Sequence, residues 1–144
     1  MAIPRTYATA GAFRRALEER LKSMSQTRQI DINRLRRQVS FDRLLARLFR
    51  EDPAPWVLKC GYALELRFKS ARSTIDIDLA LQRVVGAEEG SDPVRAIREM
   101  LQAMADVSFD DWFEYTIGPP AIYLTTAPYG GARYSRTPSV QHLF

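Results

Sequence analysis

The chain is poor in the residues from which cross-links and compact metal centres are built: its 144 residues hold one cysteine, Cys60, and one histidine, His142. One cysteine excludes an intramolecular disulfide framework, and with a single histidine it excludes a thiolate/imidazole zinc site. Lysine is scarce as well, since only Lys22, Lys59 and Lys69 stand among 21 basic side chains. No apolar run approaches the ~18 residues of a membrane span, and Met1-Ala2-Ile3-Pro4-Arg5 lacks a signal-peptide core; a cytoplasmic protein with no membrane contact is expected. There is no internal repeat and no low-complexity tract. What is present is ordinary for a globular chain: 46% apolar and 26% charged residues, values that argue against a disordered, collagen-like or coiled-coil protein. The length fits one domain with a core large enough to need no staples.

Charge is unevenly distributed. Residues 1–50 carry 12 basic and 4 acidic side chains, a net +8, whereas residues 51–144 carry 9 and 13, a net −4. A basic half can meet a phosphate-rich partner through counterion release, and it can equally be a solvated arginine-rich helical face.

Apolar spacing organises the chain. Thr9 is placed to cap a first helix, with Phe13, Leu17 and Leu21 on one stripe. A polar stretch from Ser23 to Gln29 separates it from a longer helix capped by Asp31, whose apolar face holds Ile32, Leu35, Val39, Leu45, Leu48 and Phe49. Asp52-Pro53-Ala54-Pro55 ends that helix. Trp56-Val57-Leu58 then reads as a buried strand, broken at Gly61, and Tyr62 to Phe68 as a short helix. Ser73 to Leu81 alternates, with Ile75, Ile77, Leu79 and Leu81 on one face and Asp76, Asp78 and Ala80 on the other, the strand period. Val84 to Ser91 is a loop. Asp92-Pro93 starts a helix carrying Val94, Ile97, Leu101 and Met104. Phe109 to Ile117 and Ala121 to Thr126 read as strands of a hairpin turning at Gly118-Pro119-Pro120. Tyr129-Gly130-Gly131 turns the chain once more, and Ser135 to Phe144 shows neither period.

Asp76 and Asp78 are chemically the loudest feature. In a strand, side chains at i and i+2 point the same way from Cα atoms ~6.5–7 Å apart. Two carboxylates so placed can share a hard divalent cation, as Mg²⁺ is held beside substrate phosphates, and can support in-line nucleotidyl displacement. Alone, Asp-x-Asp is also the exposed polar face of a half-buried strand. Aspartate is depleted in strands, however, and two of them in the middle of one ask for a compensating cation. Upstream, Lys59-Cys60-Gly61 is a strand end leading into a helix, where backbone N–H groups and the helix N-terminus favour phosphate. Arg72, Ser73 and Thr74 precede the carboxylates and offer further donors.

Leu58-Lys59-Cys60-Gly61-Tyr62-Ala63-Leu64, followed by Arg72-Ser73-Thr74-Ile75-Asp76-Ile77-Asp78-Leu79, resembles the AbiEii/AbiGii toxin-type nucleotidyltransferases of the DNA polymerase β-like superfamily. Their pattern is Lys-Gly-Gly-x-x-Leu followed by Arg-x-Ser/Thr-x-Asp-x-Asp. Leu35 to Val39 and Phe41 to Leu48 resemble the helix before this motif, and Tyr129 to Tyr134 a turn after it, so the resemblance spans residues 8–134. It implies an α/β (α+β) fold, a nucleotidyltransferase-like mixed sheet flanked by helices and preceded by an N-terminal helical segment. In one domain over 1–144, residues 1–52 would be the helical part, 53–134 the α/β catalytic core and 135–144 an atypical tail.

The resemblance further implies that Asp76 and Asp78 are catalytic and ligate Mg²⁺, with Lys59, Gly61, Arg72, Ser73 and Thr74 at the nucleotide. The implied activity is transfer of a nucleoside monophosphate from an NTP to an acceptor such as a tRNA end. The implied setting is a toxin with a cognate antitoxin, acting in abortive infection.

Two departures stand out. The family's first glycine is Cys60 here, and at a positive φ its Cβ would cost ~1–3 kcal/mol; the thiol itself is expected to be buried and inert. Beyond residue 134 the family continues into a strand with a third acidic residue and a helical region with a nucleotide-binding lysine. Ser135 to Phe144 resembles neither and looks like a shifted frame or a truncated gene. Asp110, Asp111 and Glu114 lie before the position of the third acid, and His142 has no partner in the sequence. The alternative is a catalytically inactive fragment or binding module, contacting RNA or an antitoxin through basic helices that include Arg34, Arg36 and Arg37. A truncated fold would also expose sheet edge and associate.

Overall fold

The computed structural model of the chain describes residues 7–68, 72–82, 90, 92–123 and 132–139, from residue 120 onward as backbone alone. The loop expected over 84–91 (Gly90 apart), the turn at 129–131 and the residues after 139, His142 among them, lie outside it. Among the described residues, four helices and four strands make an α+β protein, as expected, and the strands form two antiparallel two-stranded ladders. The chain divides into two compact units, residues 18–84 and residues 1–17 with 85–144.

α1 (Ala10–Arg28) crosses the division at residue 18, and in the unit of residues 18–84 its later part and α2 (Ile32–Leu48) supply the apolar wall. Thr9 caps α1 by accepting from the Ala12 N–H at 3.1 Å. The helix runs through the polar stretch that was expected to separate it from the next, because Ser23 to Arg28 contains no glycine or proline to break it. It stops where Gln29 turns left-handed at φ 54°, with the Ile30 N–H returning to the Ser25 carbonyl at 3.2 Å, the bond of a Schellman end. Asp31 caps α2 through the Arg34 N–H at 2.9 Å, as expected.

Leu21, Leu35, Phe41, Leu44, Leu48, Trp56 and Tyr62 form the core of this unit. Phe41 and Tyr62 meet edge to face with centroids 4.8 Å apart, and the Tyr62 hydroxyl donates to Asp42 Oδ1 at 2.7 Å. Arg47 is also buried, and its guanidinium donates to the Arg43 carbonyl one turn back at 2.9 Å.

β1 (Trp56–Lys59) pairs antiparallel with β2 (Asp78–Leu81), Trp56 opposite Leu81 and Lys59 opposite Asp78. The expected nine-residue strand over 73–81 is therefore corrected to four residues. β1 ends at Lys59 and turns into α3 (Cys60–Arg67), so residues 72–77 have no partner strand among the described residues to satisfy their backbone. Leu79 and Leu81 face inward with Leu58 and Trp56, as the alternation indicated, but Ile75 is 69% exposed.

In the other unit, α4 (Pro93–Ala105) is capped by Asp92, which accepts from the Val94 N–H at 3.0 Å, with proline at the first helical position. β3 (Glu114–Tyr123) pairs antiparallel with β4 (Ala132–Ser139). Three sequence expectations fail here. Gly118-Pro119-Pro120 is not a hairpin turn; the strand continues through it with register shifts flanking Pro120, since proline cannot donate to the ladder and is accommodated at a bulge. Ser135 to Ser139 is strand despite its lack of alternation, because the β3 backbone templates it. Residues 109–113 are irregular, with Asp110 and Trp112 at positive φ, so β3 begins only at Glu114.

The free edge of β3 is closed by side chains from α4. Gln102 donates to the Tyr115 carbonyl at 2.9 Å and accepts from the Ile117 N–H at 2.7 Å, as the peptide group of a neighbouring strand would. Arg98 donates to the carbonyls of Ile117 and Gly118, both at 3.1 Å. Over these residues the expected open edge is covered. Leu101, Ala105, Phe113, Tyr115 and Ile117 are buried beneath, with Phe113 also edge to face with Phe13 at 5.8 Å. Gln102→Leu leaves both backbone groups of β3 unpaired and is expected to lower stability by about 2 kcal/mol, read as a lower urea midpoint at unchanged slope.

Candidate functional site

The site is built at the corner where β1 becomes α3. Lys59 is the N-cap of α3 in extended conformation, with no side-chain hydrogen bond to the helix. Cys60 follows at φ 57°, a left-handed conformation that costs a residue with a Cβ about 1–2 kcal/mol. This is the position where the Lys-Gly-Gly pattern has its first glycine, and the backbone geometry explains why glycine suits it. The Cys60 thiol is exposed rather than buried, so the expectation of a core cysteine is corrected: the positive φ turns the chain at the surface and points its side chain away from the interior.

Gly61 answers a different demand. A Cβ placed there would lie 3.1 Å from both Cβ and Oγ1 of Thr74, so the missing side chain lets the segment of residues 72–77 approach the first turn of α3. That segment lacks a partner strand and is held by side chains instead. Glu65, buried on α3, accepts from the Thr74 N–H through Oε2 at 3.0 Å. Its Oε1 accepts from Arg34 Nε and Gln38 Nε2 of α2, each at 3.0 Å. Arg37 donates to the Ser73 hydroxyl at 3.1 Å. The Thr74 hydroxyl in turn lies 3.2 Å from the Asp76 carbonyl, to which it donates, and 3.4 Å from the Asp76 N–H.

From this fixed segment Asp76 and Asp78 reach solvent; both are exposed. Lys59 stands directly opposite Asp78 in the ladder, so the two side chains leave the same face of the sheet. That face is the outer one, since Trp56, Leu58, Leu79 and Leu81 occupy the other. Lys59 and Arg72 are exposed too, and among the described residues neither these two nor Asp76 and Asp78 has a side-chain partner. The predicted residues thus gather in one unit, and they divide by role. Lys59, Arg72, Asp76 and Asp78 carry free charges, whereas Gly61, Ser73 and Thr74 are engaged in holding the segment.

Two exposed carboxylates separated by one residue suit a hard cation that completes its shell with water and substrate phosphate oxygens, the usual habit of Mg²⁺. Among the described residues no cluster of three or more histidine, cysteine, aspartate or glutamate side chains forms a protein-only cage. Of the late acidic residues, Asp111 is buried and accepts from the Phe113 N–H at 3.2 Å, while Asp110 and Glu114 are exposed.

Sequence reading missed Glu65, and it read Arg37 as an RNA contact rather than as a support for Ser73. A signal existed for the first: Tyr62 and Glu65 stand three apart, so an inward-facing tyrosine places the carboxylate on the same helix face. The arginines expected to contact RNA are engaged within the chain, Arg34 with Glu65, Arg37 with Ser73, and Arg36 in a two-pronged pair with Glu18 at 3.1 and 2.8 Å. The hydrogen bond that Arg36 donates to Glu18 raises its guanidinium above the ordinary pKa. Glycine at position 60 removes the left-handed strain at the cost of a looser unfolded chain, so Cys60→Gly is expected to raise stability by up to about 1 kcal/mol and Cys60→Val to lower it. Denaturant midpoints of the two variants check this.

No curated protein matches the chain, and no solved structure matches it. The family model described as nucleotidyl transferase AbiEii toxin, type IV toxin–antitoxin system, matches residues 43–141, a span that begins within α2, holds every predicted site residue and runs past the end of β4. No helix among the described residues is long and apolar enough to cross a membrane. The chain belongs to the AbiEii family of nucleotidyltransferase toxins.

Proposed function

We propose that this chain is a Mg²⁺-dependent nucleotidyltransferase that moves a nucleoside monophosphate from an NTP to the hydroxyl of an RNA acceptor such as a tRNA end, restrained in the cell by a cognate antitoxin. The observation that carries the reading is the outer face of the β1–β2 ladder. There Lys59, Asp78 and the neighbouring Asp76 present one ammonium and two carboxylates with no competing partner among the described residues, on a segment fixed from behind.

Asp76 and Asp78 would hold Mg²⁺, which when bound neutralises triphosphate charge and supplies Lewis acidity at the phosphoryl oxygens. Lys59 and Arg72 offer cationic donors to the phosphates, Lys59 as a point charge and Arg72 as a planar fork. The first N–H groups of α3, which no side chain caps, add partial positive charge at the same corner. Gly61, Ser73 and Thr74 serve the nucleotide by holding the backbone that lines it. The acceptor hydroxyl oxygen bonds to the α-phosphorus, the bond to the bridging oxygen of the β-phosphate breaks, pyrophosphate leaves and the hydroxyl proton passes to solvent. The work of the protein in such a displacement is positioning and charge stabilisation.

The test is incubation of the protein with each α-labelled NTP, Mg²⁺ and total tRNA, following label into RNA. Label transfer that EDTA abolishes is expected, and Asp76→Asn or Asp78→Asn should lower it on the order of 10²–10³-fold, the worth of several kcal/mol of metal-held charge. Transfer undiminished in both variants would sink the assignment.

A further inference from the structure

We infer that Glu65 is the positioning residue of the carboxylate segment, setting the presentation of Asp76 and Asp78 from the far side of α3. This rests on reading those two aspartates as the cation ligands. The side chain of Glu65 is 2% exposed. A carboxylate that deep is retained only where donors surround it, and here both oxygens are engaged, one with Thr74 and the other with α2. Oε2 holds the Thr74 N–H at 3.0 Å, and Oε1 holds Arg34 and Gln38 of α2 at 3.0 Å each.

Thr74 is two residues before Asp76 and is itself bonded to the Asp76 backbone through its hydroxyl. Position is thereby relayed from α2, through Glu65 and Thr74, to the first carboxylate, while the β1–β2 ladder fixes the second. Among the described residues no strand hydrogen bond does this for residues 72–77, so the side chain takes the place of a ladder. Outer-shell groups that orient ligands in this way govern metal affinity without touching the metal.

A glutamine at position 65 keeps the shape but has one acceptor oxygen, so it can serve Thr74 or the two α2 donors, not both. The experiment measures Mn²⁺ affinity of the full chain by titration calorimetry, as a probe for the Mg²⁺ site, with far-UV circular dichroism to confirm folding. Wild type is expected to bind, Asp76→Asn to lose binding, and Glu65→Gln to bind about tenfold more weakly with its fold intact. Arg34→Ala should weaken binding through the same relay, and adding it to Glu65→Gln should cost nothing further, since the two act on one path.

A merely structural glutamate would lower the melting temperature and leave the affinity of the folded protein unchanged. Unchanged affinity in Glu65→Gln beside a lost site in Asp76→Asn overturns the positioning role and leaves the cation site standing. Absence of Mn²⁺ binding by wild type, or equal binding by Asp76→Asn, overturns the site and the inference together. If Glu65→Gln does not fold, the Arg34→Ala comparison decides in its place.

Discussion

One buried carboxylate joins the pieces that the fold of residues 18–84 would otherwise leave apart. β1 turns away at Lys59 because Cys60 adopts a left-handed backbone, and that turn removes the strand against which residues 72–77 could have paired. Their backbone groups need other partners, and Glu65 is the partner nearest the functional end. Its own charge is compensated by Arg34, 27% exposed at the side chain, and by Gln38. Breaking such a buried set by removing one member costs more than the set contributes net, because the remaining groups stay desolvated. The corner, the carboxylate and the segment therefore stand or fall as one.

The basic first third of the chain takes on a different meaning once its partners are known. Arg34, Arg36 and Arg37 meet Glu65, Glu18 and Ser73, and Arg47 is buried against its own helix. A net charge count sees five cations on α2; in the structure Arg34, Arg36 and Arg37 order α1, α3 and the carboxylate segment. Exposed arginines do remain on α1, at Arg14, Arg15, Arg20 and Arg28.

Much of the fold was legible because its signals are local. Thr9, Asp31 and Asp92 cap the helices they were expected to cap, whereas α2 ends at Leu48, ahead of the prolines at 53 and 55 that were expected to stop it. The motif residues were legible because their types are chemically unusual where they stand. What failed was non-local. The alternation of Ser73 to Leu81 is a true period, but a strand also needs a partner, and only the turn at Cys60 reveals that the partner ends at Lys59. Gly118-Pro119-Pro120 has the composition of a turn and is carried through a ladder by pairing with β4. Ser23 to Arg28 has no apolar stripe, yet nothing in it opposes a helix already begun at Ala10. Glu65 was passed over because a lone glutamate on an eight-residue helix looks like a solvated one until its neighbours in space are known.

If the outer face of the β1–β2 ladder is a nucleotide site, the charge of the triphosphate beside Asp76 and Asp78 requires a divalent cation. Equilibrium titration of the protein with each of the four NTPs, with Mg²⁺ and without it, tests this most directly when repeated on Asp78→Asn. The account predicts saturable binding of at least one NTP that needs Mg²⁺ and vanishes in the variant. Binding that is indifferent to the cation or to Asp78, or no binding by the folded protein, would contradict it.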